Sequence, residues 1–179
     1  SELKVSEVSS ATAVSQVFLN TNMAAAGGVV ATLFMSLFLT GKMDVTMAIN
    51  GAIAGLVSIT ADPLSPTGGT AVLVGALGGA LVYVSILFLE KKGIDDPVGA
   101  ISAHGTVGIY GVLVVSLTGG ADFLGQLTGV AMIAAFTYIA SLGVIYAINY
   151  VMPIRATDEE QDAGLDISEV GIEAYPEFD

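Results

Sequence analysis

Cysteine and tryptophan are both absent from this 179-residue sequence, and histidine occurs once, at His104. Without cysteine there is no disulfide framework, no cysteine-based zinc site and no thiol nucleophile. No phosphate-binding glycine loop, HExxH or GxSxG pattern occurs either, so the usual nucleotide, metalloprotease and hydrolase chemistries lack their residues. An enzyme is not expected, and no cofactor or metal is implied. Positive charge is also scarce: five Lys and Arg stand against seventeen Asp and Glu, a net charge of −12 that argues against nucleic acid as a partner.

What the sequence has instead is apolar length. Hydrophobic residues make up 54% of the chain and charged residues 12%, and the mean hydropathy is +0.80, values that point to a membrane protein. Five blocks contain no Asp, Glu, Lys or Arg: Ala11–Thr40, Val45–Ala61, Pro63–Leu89, Pro97–Ala121 and Phe123–Ile154. A spanning helix needs roughly 20 apolar residues, so each block can supply one. The expected fold is therefore an all-α integral membrane bundle over residues 1–154, with spans near 14–40, 44–61, 70–90, 97–118 and 123–152. Pro63, Pro66, Gly68 and Gly69 read as a loop that delays the third span to about Thr70.

Charge assigns the sides. Lys42, Lys91, Lys92 and Arg155 all fall on one face of a five-span chain, which should be the cytoplasm, with Lys4 the single exception. Residues 155–179 then form a cytoplasmic tail. Nine of the seventeen acidic residues lie beyond Arg155, a solvated appendage that repels nucleic acid and anionic lipid; acidic surfaces are equally common in proteins from high salt. The chain has no initiator methionine or leader pattern at Ser1, so it is expected to be the C-terminal part of something longer, or one chain of a split protein. An odd number of spans would leave a second copy inverted, a common transporter design.

His104 is the ionisable group inside the fourth block, where burial in hydrocarbon is costly unless the ring faces a cavity or pathway. Ahead of it, Asp96 can cap the helix and Pro97 suits its first position. On an α-helix, Ala100, His104, Gly108 and Gly111 share one face, poor in bulk. The bland alternative is a structural core histidine. Asn20, Thr21 and Asn22 can bond across to neighbouring helices or meet cargo, and Thr60 can line an entrance or bond to its own helix. Asp44 can cap the second helix. Gly51 and Gly55, Gly75 and Gly79, and Gly125 and Gly129 each have the spacing of close-packed helices.

Four motifs together resemble the ammonium transporters of the Amt/Mep/Rh family: Phe18–Ala24, Asn50–Thr60, Asp95-Asp96-Pro97 with His104-Gly105 and Gly108-Ile109, and Gly164-Leu165-Asp166 with Gly171 and Ala174-Tyr175. The resemblance covers essentially the whole chain. It implies an eleven-helix bundle with a pore in each protomer of a homotrimer in the plasma membrane, this chain supplying the second inverted repeat, with the N-terminal half of the transporter as its complement. It also implies ammonium or ammonia as cargo, and PII-type signal proteins as partners at the cytoplasmic face. By the same likeness His104 is the second of a pore-lining histidine pair and Asp96 a structural, helix-capping acid. Thr60, and Ser1 at the start of the chain, would lie near the external recruitment site, and Ala100 and Gly108 would face the pore. Val170 and Ile172 stand where the family usually has His and often has Glu. Two other functions remain open: an ammonium sensor signalling through its tail, and an Rh-like channel for another neutral gas.

Overall fold

The computed structural model describes residues 8–173, and these are helical, with no strand among them. The chain divides into two compact units, Ser1–Val130 and Ala131–Asp179. The first contains α1 (Val8–Thr40), α2 (Val45–Ile59), α3 (Gly68–Lys91), a π-helical segment (Ile101–Thr106) running into α4 (Val107–Thr118), and the first turns of α5 (Phe123–Val151). The second contains the rest of α5, the short α6 (Asp158–Ala163) and a π-helical turn (Asp166–Val170).

Local chemistry sets the ends of these helices. Asp44 begins α2, its carboxylate accepting from the Met47 amide at 3.0 Å. The buried Ser36 hydroxyl ties the preceding loop, donating to the Lys42 carbonyl at 2.8 Å and accepting from the Asp44 amide at 3.1 Å. α2 stops at Ile59, two residues short of the expected end, because the turn into Asp62-Pro63 has begun. Its 15 residues measure roughly 22 Å at 1.5 Å per residue, less than the hydrocarbon thickness. α3 starts two residues earlier than expected, since the Thr67 hydroxyl accepts from Thr70 N at 3.3 Å and draws Gly68 and Gly69 into the first turn. Among the described residues, four helices are long and apolar enough to cross a membrane: Ser10–Thr40 of α1, α3, the π segment with α4, and α5.

The frame of the first unit is the crossing of α1 with α2 and α3. Gly55 and Gly75 meet α1 at the Ala24 backbone, and Gly51 and Gly79 meet it at Gly28. A methyl built on Gly79 would lie 2.5 Å from the Gly28 carbonyl oxygen, so the backbones touch where ordinary side chains would hold them apart. The glycine pairs at 51/55 and 75/79 therefore sit at helix crossings. The pair at 125/129 does not: Gly129 faces open space and Gly125 meets only the Asp122 side chain. Around the crossing lie two apolar clusters, Ala24, Ile59, Ala71 and Val74, and Ala54, Val82, Ile86, Ala103 and Val107.

Polar residues of α1 divide by role. Asn20 is fully buried and its amide donates to the Pro63 and Pro66 carbonyls at 2.9 and 2.7 Å, holding the α2–α3 loop. Thr21 and Asn22, grouped with it above as cross-helix or cargo contacts, instead bond to Val17 and Phe18 of their own helix.

In the second unit, α6 opens on a reciprocal cap. The Thr157 hydroxyl accepts from Glu160 N while the Glu160 carboxylate accepts from Thr157 N at 2.8 Å. These bonds from Thr157 lower the Glu160 pKa against a weaker desolvation effect. Val170 and Ile172 are exposed.

Candidate functional site

The chain enters α4 by a turn. Pro97 is not the first helical residue as expected; Pro97–Gly99 form a bend closed by Gly99 N donating to the Asp96 carbonyl at 3.0 Å, and the helix starts at Ala100. Gly99 takes a positive φ of 71° there, open to glycine at no steric cost. Asp96 nevertheless reaches the helix, one carboxylate oxygen accepting from Ile101 N at 3.0 Å and the other from Ser102 N at 3.1 Å. Partial burial pushes its pKa up, but the bonds from the Ile101 and Ser102 amides and the Ser102 hydroxyl outweigh this and hold it below the ordinary carboxylate value.

Beyond that cap the helix runs as π turns through Thr106 before α4 begins at Val107. His104, Gly108 and Val112 line an open cleft of about 350 Å³ whose other wall is Val57, Thr60 and Ala61 at the end of α2. Gly111 lies outside it: a methyl there would sit 2.9 Å from the Val57 carbonyl oxygen, so this glycine packs on the α2 backbone. Ala100, expected beside His104 on a pore-facing stripe, is exposed and is not among the residues lining this cleft. Ser1, and Ala174-Tyr175 of the tail motif, lie outside the described residues.

The cleft brings together His104, Thr60 and Gly108 from two helices. The His104 ring is exposed to it and takes part in no hydrogen bond or ion pair among the described residues. The Thr60 hydroxyl donates to the Leu56 carbonyl at 2.6 Å, which leaves its oxygen lone pairs able to accept. No group of three His, Asp or Glu that could hold a metal ion occurs among the described residues. Val57, Ala61 and Val112 were not singled out in sequence; the fourfold spacing 104, 108, 112 carried the signal for Val112. The hydroxyls of Ser85, Ser102 and Thr106, also missed, meet behind His104.

Comparison with known proteins gives this arrangement a context. The chain is 32% identical to "Ammonium transporter Amt2" of Archaeoglobus fulgidus, covering 99% of the chain and 40% of that protein. It is 33% identical to "Ammonium transporter" of Bacillus subtilis, covering 88% of the chain and 43% of that protein. Among solved structures, it resembles "Sensor Amt Protein" at 34% identity and a TM-score of 0.75, covering 87% of the chain and 42% of that one. Candida albicans Mep2 follows at 25% identity and a TM-score of 0.72, with 81% and 37% covered. The chain thus spans less than half the length of these relatives. Because the profile of the Ammonium Transporter Family matches residues 1–175, taking in the helices, the cleft and nearly all of the tail, the chain belongs to the ammonium transporter family.

Proposed function

We propose that this chain forms part of a membrane pathway that moves ammonium nitrogen as neutral ammonia, with His104 passing on the proton that the cation leaves behind. The observation that carries this reading is the His104 ring, lining a cleft of small and apolar residues with both nitrogens free of partners among the described residues. A bare cation entering hydrocarbon meets a large desolvation cost, which the neutral amine avoids. A neutral imidazole has one donor and one acceptor, so it can take a proton on one nitrogen while releasing one from the other. The Thr60 oxygen, at the same cleft, offers an acceptor to an N–H of the cargo.

In this reading the five helices act as the second of two inverted repeats, completed by an N-terminal half that holds the partner histidine, and three such protomers assemble in the plasma membrane. Ser1 and Thr60 belong to the outer side. Lys42, Lys91, Lys92 and Arg155 put the opposite loops and the 155–179 tail in the cytoplasm, within reach of a PII-type signal protein. α2 crosses as a short helix extended by the loop that Asn20 pins.

The test is uptake of methylammonium by the complete protein carrying His104→Ala or His104→Glu, measured per inserted molecule. Lost or less selective uptake is expected in both. Wild-type rate and selectivity in both variants would remove His104 from the mechanism.

A further inference from the structure

Behind the imidazole, on the side away from the cleft, lies a buried chain of hydroxyl groups that the pathway itself does not use. Ser85 of α3 is 8% exposed, and its hydroxyl donates to Ser102 Oγ at 3.0 Å and lies 3.0 Å from Thr106 Oγ1. Ser102 is fully buried, and its amide donates to the Asp96 carboxylate at 3.1 Å. A hydroxyl has one proton to give, which orders this pair of bonds: Ser85 donates to Ser102, and Thr106 is left to donate to Ser85. One run of hydrogen bonds thus joins the loop before the helix to its sixth and tenth following residues, with a fixed point on α3 between them.

Ser102 and Thr106 are the residues two before and two after His104. Residues two apart on a helix point to different sides, so fastening both to Ser85 turns the position between them away from α3. That is where His104 lies, in the cleft against the end of α2. All three lie in the six-residue π segment Ile101–Thr106. Such segments are rare and short, and an α-helical path is the ordinary alternative. A change of path would carry His104 round the helix axis. We propose that Ser85 is a positioning residue for His104: through Ser102 and Thr106 it fixes the π-helical register that aims the imidazole into the cleft.

This inference rests on the role given to His104 above, and its test separates the two. Methylammonium uptake is measured in proteoliposomes holding the complete protein, per inserted molecule, for Ser85→Ala, Ser85→Thr and His104→Ala. Ser85→Ala is expected to lower the maximal rate about five- to tenfold with the half-saturating concentration unchanged, since a misaimed ring slows the relay and leaves entry alone. Ser85→Thr, which returns the hydroxyl, is expected to restore at least half of the rate. A wild-type rate in Ser85→Ala, or no better transport in Ser85→Thr than in Ser85→Ala, overturns the proposal. If Ser85→Ala fails to insert, Thr106→Val, which removes only the far hydroxyl, is measured in its place: a loss of rate at unchanged half-saturation supports the clamp, and a wild-type rate overturns it. Impaired His104→Ala beside unimpaired Ser85→Ala sinks the clamp alone. Unimpaired His104→Ala sinks the relay itself.

Discussion

Glycine stands both at the α1 crossing and in the α2–α4 cleft, with opposite outcomes. At the crossing, Gly51, Gly55, Gly75 and Gly79 bring α2 and α3 onto the backbone of α1 at Ala24 and Gly28, and nothing fits between. At the cleft, Gly108 faces Val57 at a looser distance, a methyl there standing 3.9 Å from Val57 Cγ1, and about 350 Å³ remains open. Glycine therefore means contact in one place and room in the other. The difference is made by what lies further along each helix. Gly111, one turn beyond Gly108, touches the α2 backbone and sets the α2–α4 separation, while the turn beside His104 carries hydroxyls bonded to α3.

Substitutions can break this contrast, and the largest effect belongs to the crossing. Gly75→Leu drives a side chain into the Ala24 backbone and is expected to cost about 3 kcal/mol or more, read as lost folded protein in detergent unfolding. Gly108→Ala, with ordinary van der Waals room, should fold normally; a loss like that of Gly75→Leu would mean the cleft is as tight as the crossing.

Asp96→Ala removes the cap over the π segment and should cost about 1 to 2 kcal/mol in the same unfolding measurement. The pH dependence has a definite sign. The folded pKa of Asp96 is depressed, so its contribution is present above the unfolded carboxylate value and fades as pH falls through the lower folded one. Acid should therefore narrow the gap between wild type and Asp96→Ala. An unchanged gap would assign the loss to packing.

Ser36→Ala leaves the Lys42 carbonyl and Asp44 amide without their shared partner, for about 1 kcal/mol. Gly69→Ala, at a position with nothing around it, should change stability by less than about 0.5 kcal/mol and sets the baseline for the glycine series. In a peptide of the tail, Thr157→Ala should lower the helicity of α6 by circular dichroism. Acid should do the same to the wild-type peptide as pH falls through the depressed Glu160 value, and an acid-insensitive helix would place the cap elsewhere.

Much of the architecture was legible because hydrocarbon imposes a simple requirement. Long stretches without charge become helices, and α1, α3 and α5 occupy three of the charge-free blocks. Caps were legible for a similarly local reason: Asp44 and Asp96 are short acceptors set just before apolar runs. The path of the fourth helix was not. Its six-residue π segment is bonded to Ser85, 17 and 21 residues away in sequence, and no local spacing announces those bonds. Nor did spacing separate Gly111, which packs on the α2 backbone, from its neighbours in the cleft, or show that the Asn22 amide bonds to its own helix.

The sequence by itself determined that this is an apolar, helical, membrane-type chain with one imidazole in a charge-free run, because composition and the hydrogen-bonding needs of a backbone in lipid leave few other solutions. Only the tertiary structure decided which residues stand around that imidazole. Facing is set by rotation about a helix axis, and here contacts with α2 and α3 fix that rotation, where the 3.6-residue period alone would have turned the helix differently.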